Sequence, residues 1–324
     1  MGRKDFASKK FFRNKYIFAD LVNNYLFQGK QVVKAESMVD GDTEAILATM
    51  KSAFLQGKYR DLLKQVEIKA DSMATYVLIG IENQSEVDYT MPIRVLLYDA
   101  LEYERQREEA LAHYKVSGAP FASKAEFLTG LPKETAFKPV ITLIMYLGSG
   151  PWDGPRCLHD NLQGQIPESI QKYVNNWHLP IIEPFKMTEA ELEGYVSELG
   201  LVMKFLKYSH DKGLLLDKIK NDSRFTHVSG DALGLINSVS KQKLKLEAAE
   251  EEGGYNMCKA IDDLIKDSLA EGRAEGRAEG IAEGKKAGRI ETALAMKKDG
   301  MPISLIAKYV HVSEDTVRTW FAMA

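Results

Sequence analysis

Three polar residues stand at spacings that suit phosphodiester chemistry: Asp61, Glu82 and Gln84. Two carboxylates carried on neighbouring strands offer hard oxygen ligands of the kind Mg²⁺ prefers. Such an ion activates water and neutralises charge developing on a phosphate. Residues two apart on a strand share a face, so Glu82 and Gln84 would point the same way.

The elements that must position them are short and apolar. Tyr76-Val77-Leu78-Ile79-Gly80-Ile81 is a continuous apolar run of strand length. A buried helix would show the same lack of period, but shortness and β-branching favour a strand inside a sheet. Upstream, Leu62, Val66 and Ile68 alternate with Leu63, Gln65 and Glu67, with Asp61 at the head. Residues 70–74 fit a hairpin turn. Folding 61–69 back on 75–84 brings Asp61 and Glu82 to the same end of two adjacent strands.

An Asp, a hairpin and then Glu-x-Lys is the pattern of the PD-(D/E)XK nuclease superfamily, and here the third residue is Gln84. The longer strings Arg60-Asp61, Gly80-Ile81-Glu82-Asn83-Gln84 and Met91-Pro92-Ile93-Arg94-Val95-Leu96-Leu97-Tyr98-Asp99-Ala100, together with Gly148-Ser149-Gly150-Pro151-Trp152-Asp153-Gly154-Pro155, resemble the bacterial recombination-promoting nuclease (Rpn) and transposase family over most of residues 15–240. The resemblance implies a restriction-endonuclease-like fold and Mg²⁺-dependent DNA cleavage linked to DNA mobility. It implies Asp61 and Glu82 as metal ligands, with Gln84 holding water or a phosphate oxygen through neutral hydrogen bonds. The superfamily often places a further acid on its first helix; Asp20 is the candidate, a solvated helix residue the alternative.

Composition bounds the reading. A chain of 324 residues, 45% of them hydrophobic, can form one large domain with an appendage or two domains. The net charge of −3 supplies no global attraction to DNA, so basic residues would have to act locally. Two cysteines, Cys157 and Cys258, make no disulfide framework and suit the cytoplasm. The six histidines show no zinc spacing. No run reaches the roughly 18 apolar residues of a membrane span, and no apolar segment follows the basic N-terminus as a signal peptide would require.

Along the chain, Ile17, Leu21 and Tyr25 recur at helical spacing and the pattern stops at Gln28-Gly29. A short strand at Val32-Val33 and a helix over 43–55 are expected next. Met91-Pro92 opens a helix whose apolar stripe is Ile93, Leu96, Leu97, Ala100 and Leu101. Arg94 in its first turn should lie near the acids, to pair with a phosphate, to orient Glu82, or to serve only as a structural or solvated charge. Pro139–Gly148 reads as a second buried strand and Leu179–Pro184 as a third. Trp152 in the Gly/Pro loop either stacks on a base or packs over the core edge. Thr188-x-x-Glu191 is a capping box for a helix reaching Lys207, and further helices are expected over 213–221 and 230–247.

Residues 271–290 repeat with period four. On a helix, Glu271, Glu275, Glu279 and Glu283 form one stripe, Arg273, Arg277, Lys285 and Arg289 another, and Gly272 to Gly288 a third. Each Gly costs about 0.8–1 kcal/mol against Ala. A semi-flexible spacer is one reading; a homo-oligomer joined through this helix is the other. Beyond it, a short helix around Ala293–Met296, a second from Pro302 and a third capped by Ser313 resemble a helix-turn-helix. His311 stands where the turn often holds Gly. Thr316, Arg318 and Thr319 are the DNA-binding candidates, with a purely protein-contacting hairpin as the alternative.

The expected architecture is α/β: a mixed sheet flanked by helices in a nuclease-like domain (1–250), a helical linker (251–290) and an all-helical tail (291–324). The expected function is Mg²⁺-dependent DNA endonuclease activity. A DNA-binding regulatory protein with a degenerate site, and an interaction protein acting through the repeat helix, are the rivals.

Overall fold

The computed structural model describes residues 3–41, 61–70, 73–118, 120–148, 150–239, 250–251 and 254–323. The helix expected over 43–55, the tip of the hairpin at 71–72 and the stretch 240–247 lie outside these residues. Two compact units emerge, Met1–Ala260 and Ile261–Ala324.

The first unit is built on an open sheet of five strands: β1 (Val39–Asp40), β2 (Leu62–Ala70), β3 (Met73–Gln84), β4 (Val140–Tyr146) and β5 (Ile181–Ile182), side by side in chain order. β1 to β3 pair antiparallel, while β4 and β5 run parallel to β3, so the sheet is mixed, as expected. The hairpin register runs from Leu62 opposite Ile81 to Ala70 opposite Met73. One step further, Asp61 stands opposite Glu82. A parallel β3–β4 pair needs a crossover, and helix α3 (Met91–Ser117) supplies it.

α3 begins as expected, with Pro92 in its first turn, and ends at Gly118 with φ 64°. Its buried face is rotated from the expected stripe. Leu101 of that stripe is buried as expected and Leu96 and Leu97 are half-buried, but Ile93 is 48% exposed and Ala100 is exposed, while Met91, Val95, Tyr98, Asp99, Glu102 and Gln106 are buried. The polar members of that face are satisfied by partners: Asp99 accepts from Thr142 Oγ1 at 2.7 Å and from Trp177 Nε1 at 3.1 Å, and Gln106 bonds the backbone of Lys138. Hydrogen bonding makes this burial tolerable where hydropathy alone would place the residues outside.

The opposite face of the sheet carries α1 (Arg3–Arg13) and α2 (Lys15–Phe27). Asn14 caps α2, and Gln28 at φ 54° with Gly29 at φ 84° stops it. Lys64, in the strand's alternating pattern, is 1% exposed; its ammonium meets Asp40 at 2.5 Å, the Arg13 carbonyl and the ring of Phe18. Val32 and Val33 form no strand: their N–H groups donate to Asn23 Oδ1. Asp20 is buried rather than solvated, and accepts from Ser197 N and Oγ and from Val196 N.

The Thr188 capping box is present, but its helix, α4 (Glu189–Glu193), ends at Gly194. Ser197 caps a new helix, α5 (Glu198–Tyr208), so the single helix expected to Lys207 is two. α6 (Lys212–Lys220) and α7 (Gly230–Val239) follow. Trp152 is buried, edge-on to Tyr146 at 5.3 Å, with its indole N–H donating to the Pro155 carbonyl. It packs over the core and is no base clamp.

One helix, α8 (Met257–Lys298), carries the whole period-four repeat and the Ala293–Met296 segment expected as a separate helix. Residues 275–289 are exposed on every side, and a Cβ added at Gly272, Gly276, Gly280, Gly284 or Gly288 would meet nothing. In the second unit, Ala293 of α8 packs with Ile306, Ala307 and Val310 around α9 (Ile303–Tyr309), and with Val317 and Trp320 of α10 (Glu314–Met323). None of the described helices is long and apolar enough to cross a membrane.

Candidate functional site

The hairpin register does the first part of the positioning. β3 ends in Glu82-Asn83-Gln84, where Glu82 neighbours Ile144 and Gln84 neighbours Tyr146 of β4. The Asp61 carboxylate reaches across to this end: Oδ2 accepts from the Asn83 N–H at 2.9 Å and from Asn83 Nδ2 at 3.2 Å. The acid on the preceding chain is thereby tied to the residue between Glu82 and Gln84.

α3 does the second part. Arg94 sits one turn into the helix that leaves β3, so its guanidinium returns to the strand end. It donates to Glu82 Oε1 at 2.6 Å, to Asp88 Oδ2 at 2.6 Å and to Tyr98 Oη at 2.8 Å. Of the roles open to Arg94, the structure shows the pairing with Glu82. Gln84 Nε2 also donates to Glu82 Oε1, at 3.1 Å. Asp61, Glu82, Gln84 and Arg94 therefore form one cluster. Asp20 lies outside it, its carboxylate bound to the start of α5.

One member has no signal in the local sequence. Lys9 of α1 places its ammonium 2.9 Å from Asp61 Oδ1, with the two side chains 22% and 16% exposed. It stands far before Asp61 in the chain and was legible only as one of several basic N-terminal residues. Asp88 and Tyr98 join through Arg94.

The electrostatics follow from burial. Glu82 is 3% exposed. Desolvation, reinforced by the like charge of Asp61, pushes its carboxyl up to about 8; the positive charges of Arg94 and Lys9 and the nearby Asp61 backbone oppose this without cancelling it. Burial and the charge of Glu82 raise Tyr98. Asp88 is held low despite its burial, because Arg94 and Thr90 donate to its carboxylate.

Two oxygens in this cluster are buried without a hydrogen-bond partner, Glu82 Oε2 and Asn83 Oδ1. An unsatisfied buried oxygen costs about 1–3 kcal/mol, more when charged. Hard, partnerless oxygens beside a second carboxylate fit a divalent cation of the Mg²⁺ type. No group of three His, Cys, Asp or Glu side chains placed to hold a metal occurs among the described residues, so the protein would supply the two carboxylates and leave the other positions to water or substrate.

In the second unit, His311 takes the left-handed conformation, φ 57°, between α9 and α10, filling the role of a turn glycine. Ser313 Oγ accepts from Thr316 N, as a helix cap should. Arg318 is exposed and paired with Glu314 and Asp315; Thr319 bonds back to the Asp315 carbonyl. The expected readers thus lie on a helix whose first turn is acidic.

No curated protein and no solved structure matches the chain. The family model described as "Putative transposase, YhgA-like" matches residues 5–223, which takes in Lys9, both carboxylates, Gln84 and Arg94. The chain belongs to this YhgA-like transposase family.

Proposed function

We propose that the protein is a divalent-metal-dependent DNA endonuclease whose ion is held by Asp61 and Glu82. The observation that carries this reading is the partnerless Oε2 of Glu82, buried beside Asp61 at the end of the hairpin. The transposase family makes DNA the expected substrate.

When bound, Mg²⁺ would supply an activated water and charge neutralisation at the phosphate. The chain's own residues have separable tasks. Asn83 fixes the Asp61 carboxylate through two hydrogen bonds. Arg94, itself held by Asp88 and Tyr98, fixes Glu82 and keeps positive charge beside it. Gln84 is neutral and donates to Glu82, so it orients an oxygen and brings no charge. Thr316, Arg318 and Thr319 of the second unit are the candidates for further contacts to DNA.

A second reading is a DNA-binding protein that does not cut. It is favoured by the ion pairs that already engage both carboxylates, Lys9 with Asp61 and Arg94 with Glu82. Nicking of supercoiled plasmid by the purified protein in Mg²⁺, abolished by EDTA, supports the nuclease. Salt-dependent DNA binding with no nicking in Mg²⁺ or Mn²⁺ supports the alternative.

A further inference from the structure

Among the described residues, two cations border the carboxylate pair, and they are held very differently. Arg94 is fixed by three acceptors, Glu82, Asp88 and Tyr98, all within 2.8 Å. Lys9 has Asp61 Oδ1 as its ion-pair partner, and its ammonium sits on a flexible four-carbon stem. The other Asp61 oxygen is anchored by Asn83. A cation that takes Oδ1 would therefore release Lys9 without disturbing the carboxylate's position.

We propose that Lys9 is the mobile cation of the site: it guards Asp61 while no metal is bound, and contacts a phosphate oxygen of the DNA once a metal displaces it. This rests on the nuclease reading for the identity of the phosphate, but not for the exchange itself. The electrostatic need is plain. Asp61, Glu82 and Asp88 are acids facing an anionic backbone, and Gln84 contributes no charge. Arg94 is committed to Glu82 and Asp88, which leaves Lys9, among the described residues, as the cation of this cluster able to move onto the substrate. A lysine suits that task as a compact charge that needs no fixed fork geometry.

The test uses the full chain, with Lys9→Met and Lys9→Arg, and three readouts. The first is Mn²⁺ affinity without DNA. Removing the competitor for Asp61 should tighten Mn²⁺ binding several-fold in Lys9→Met. The second is DNA binding in Ca²⁺ as a function of salt. The slope of log affinity against log salt should shrink by about 0.9 in Lys9→Met, one phosphate contact, and recover in Lys9→Arg. The third is plasmid nicking in Mg²⁺, which should fall about 10²-fold in Lys9→Met and recover in part when Gln84→Lys is added to that variant. Unchanged or weaker Mn²⁺ binding with an unchanged salt slope, in a variant that melts like wild type, would show a structural ion pair and overturn the proposal. If Lys9→Met melts early, the same two readouts on Lys9→Arg decide: a wild-type salt slope and weaker Mn²⁺ binding from the better ion-pairing cation support the exchange, and unchanged Mn²⁺ binding counts against it. Wild-type protein that never nicks, alongside the expected Mn²⁺ and salt effects, would sink the nuclease reading and leave the role of Lys9 standing.

Discussion

Glu82 and Arg94 lie twelve positions apart in the chain and 2.6 Å apart in space, and the pair is one-sided: Oε1 of Glu82 takes Arg94 and Gln84, while Oε2 has no partner. A purely structural ion pair would be expected to satisfy both oxygens, since each orphaned one costs stability.

Arg94→Ala should therefore damage the fold as well as the site. It strips charged hydrogen bonds from Glu82 and Asp88 together. Because the arginine is partly exposed, a loss of about 2 kcal/mol is expected, read as a lowered urea midpoint with an unchanged slope. A midpoint identical to wild type would mean that Arg94 does not hold Glu82.

The raised Glu82 carboxyl gives a pH dependence with a definite sign. Its folded-state value of about 8 lies above the ordinary 4.5. The stability is fully present below about pH 4.5 and is lost as pH rises through about 8, because the unfolded chain gives up this proton first. Metal-free wild type should lose stability across that window, and Glu82→Gln should lose less. Melts of both proteins from pH 5 to pH 8.5 in EDTA check this; parallel curves would count against a protonated Glu82.

How much of this was open to a reader of the sequence depends on whether the signal was local. The hairpin was legible because an apolar run and an alternating run flank a short polar turn, and its register then sets Asp61 against Glu82. Arg94 was legible because a Pro-started helix leaves the acidic strand directly. Lys9 was not, because nothing near it marks a helix that docks at the hairpin. The buried face of α3 departs from the apolar stripe because its polar residues find partners in β4 and at Trp177, contacts made only in the folded chain. The break between α4 and α5 had its own signal, Gly194 followed by Ser197, which the long apolar pattern masked.

Where the first unit can be cut is a sharper question than the expected domain edge at 250 suggests. Tyr255 pairs with Val228 through two backbone hydrogen bonds, and Met257 and Ala260 are buried. A chain ending at 260 should melt cooperatively and above one ending at 250. Equal melting temperatures would show that residues 251–260 add nothing.

In the second unit, His311 sits at φ 57°, a conformation that costs an L-residue about 1 kcal/mol. His311→Gly should therefore be neutral or stabilising, followed through the fluorescence of Trp320, which lies in that unit's core. Clear destabilisation would mean that the imidazole itself makes a contact the turn needs.

The central claim is that Asp61 and Glu82 share one divalent ion, and Asp61→Asn tests it most directly. The substitution keeps the shape and, with the amide oxygen turned to the place of Asp61 Oδ2, an acceptor for Asn83, but removes a charged ligand. Nicking of supercoiled plasmid is measured at saturating Mg²⁺ beside a melting curve. The expected result is a loss of about 10²-fold or more in cleavage, with a melt close to that of wild type. Full cleavage by Asp61→Asn with an unchanged melt would contradict the account.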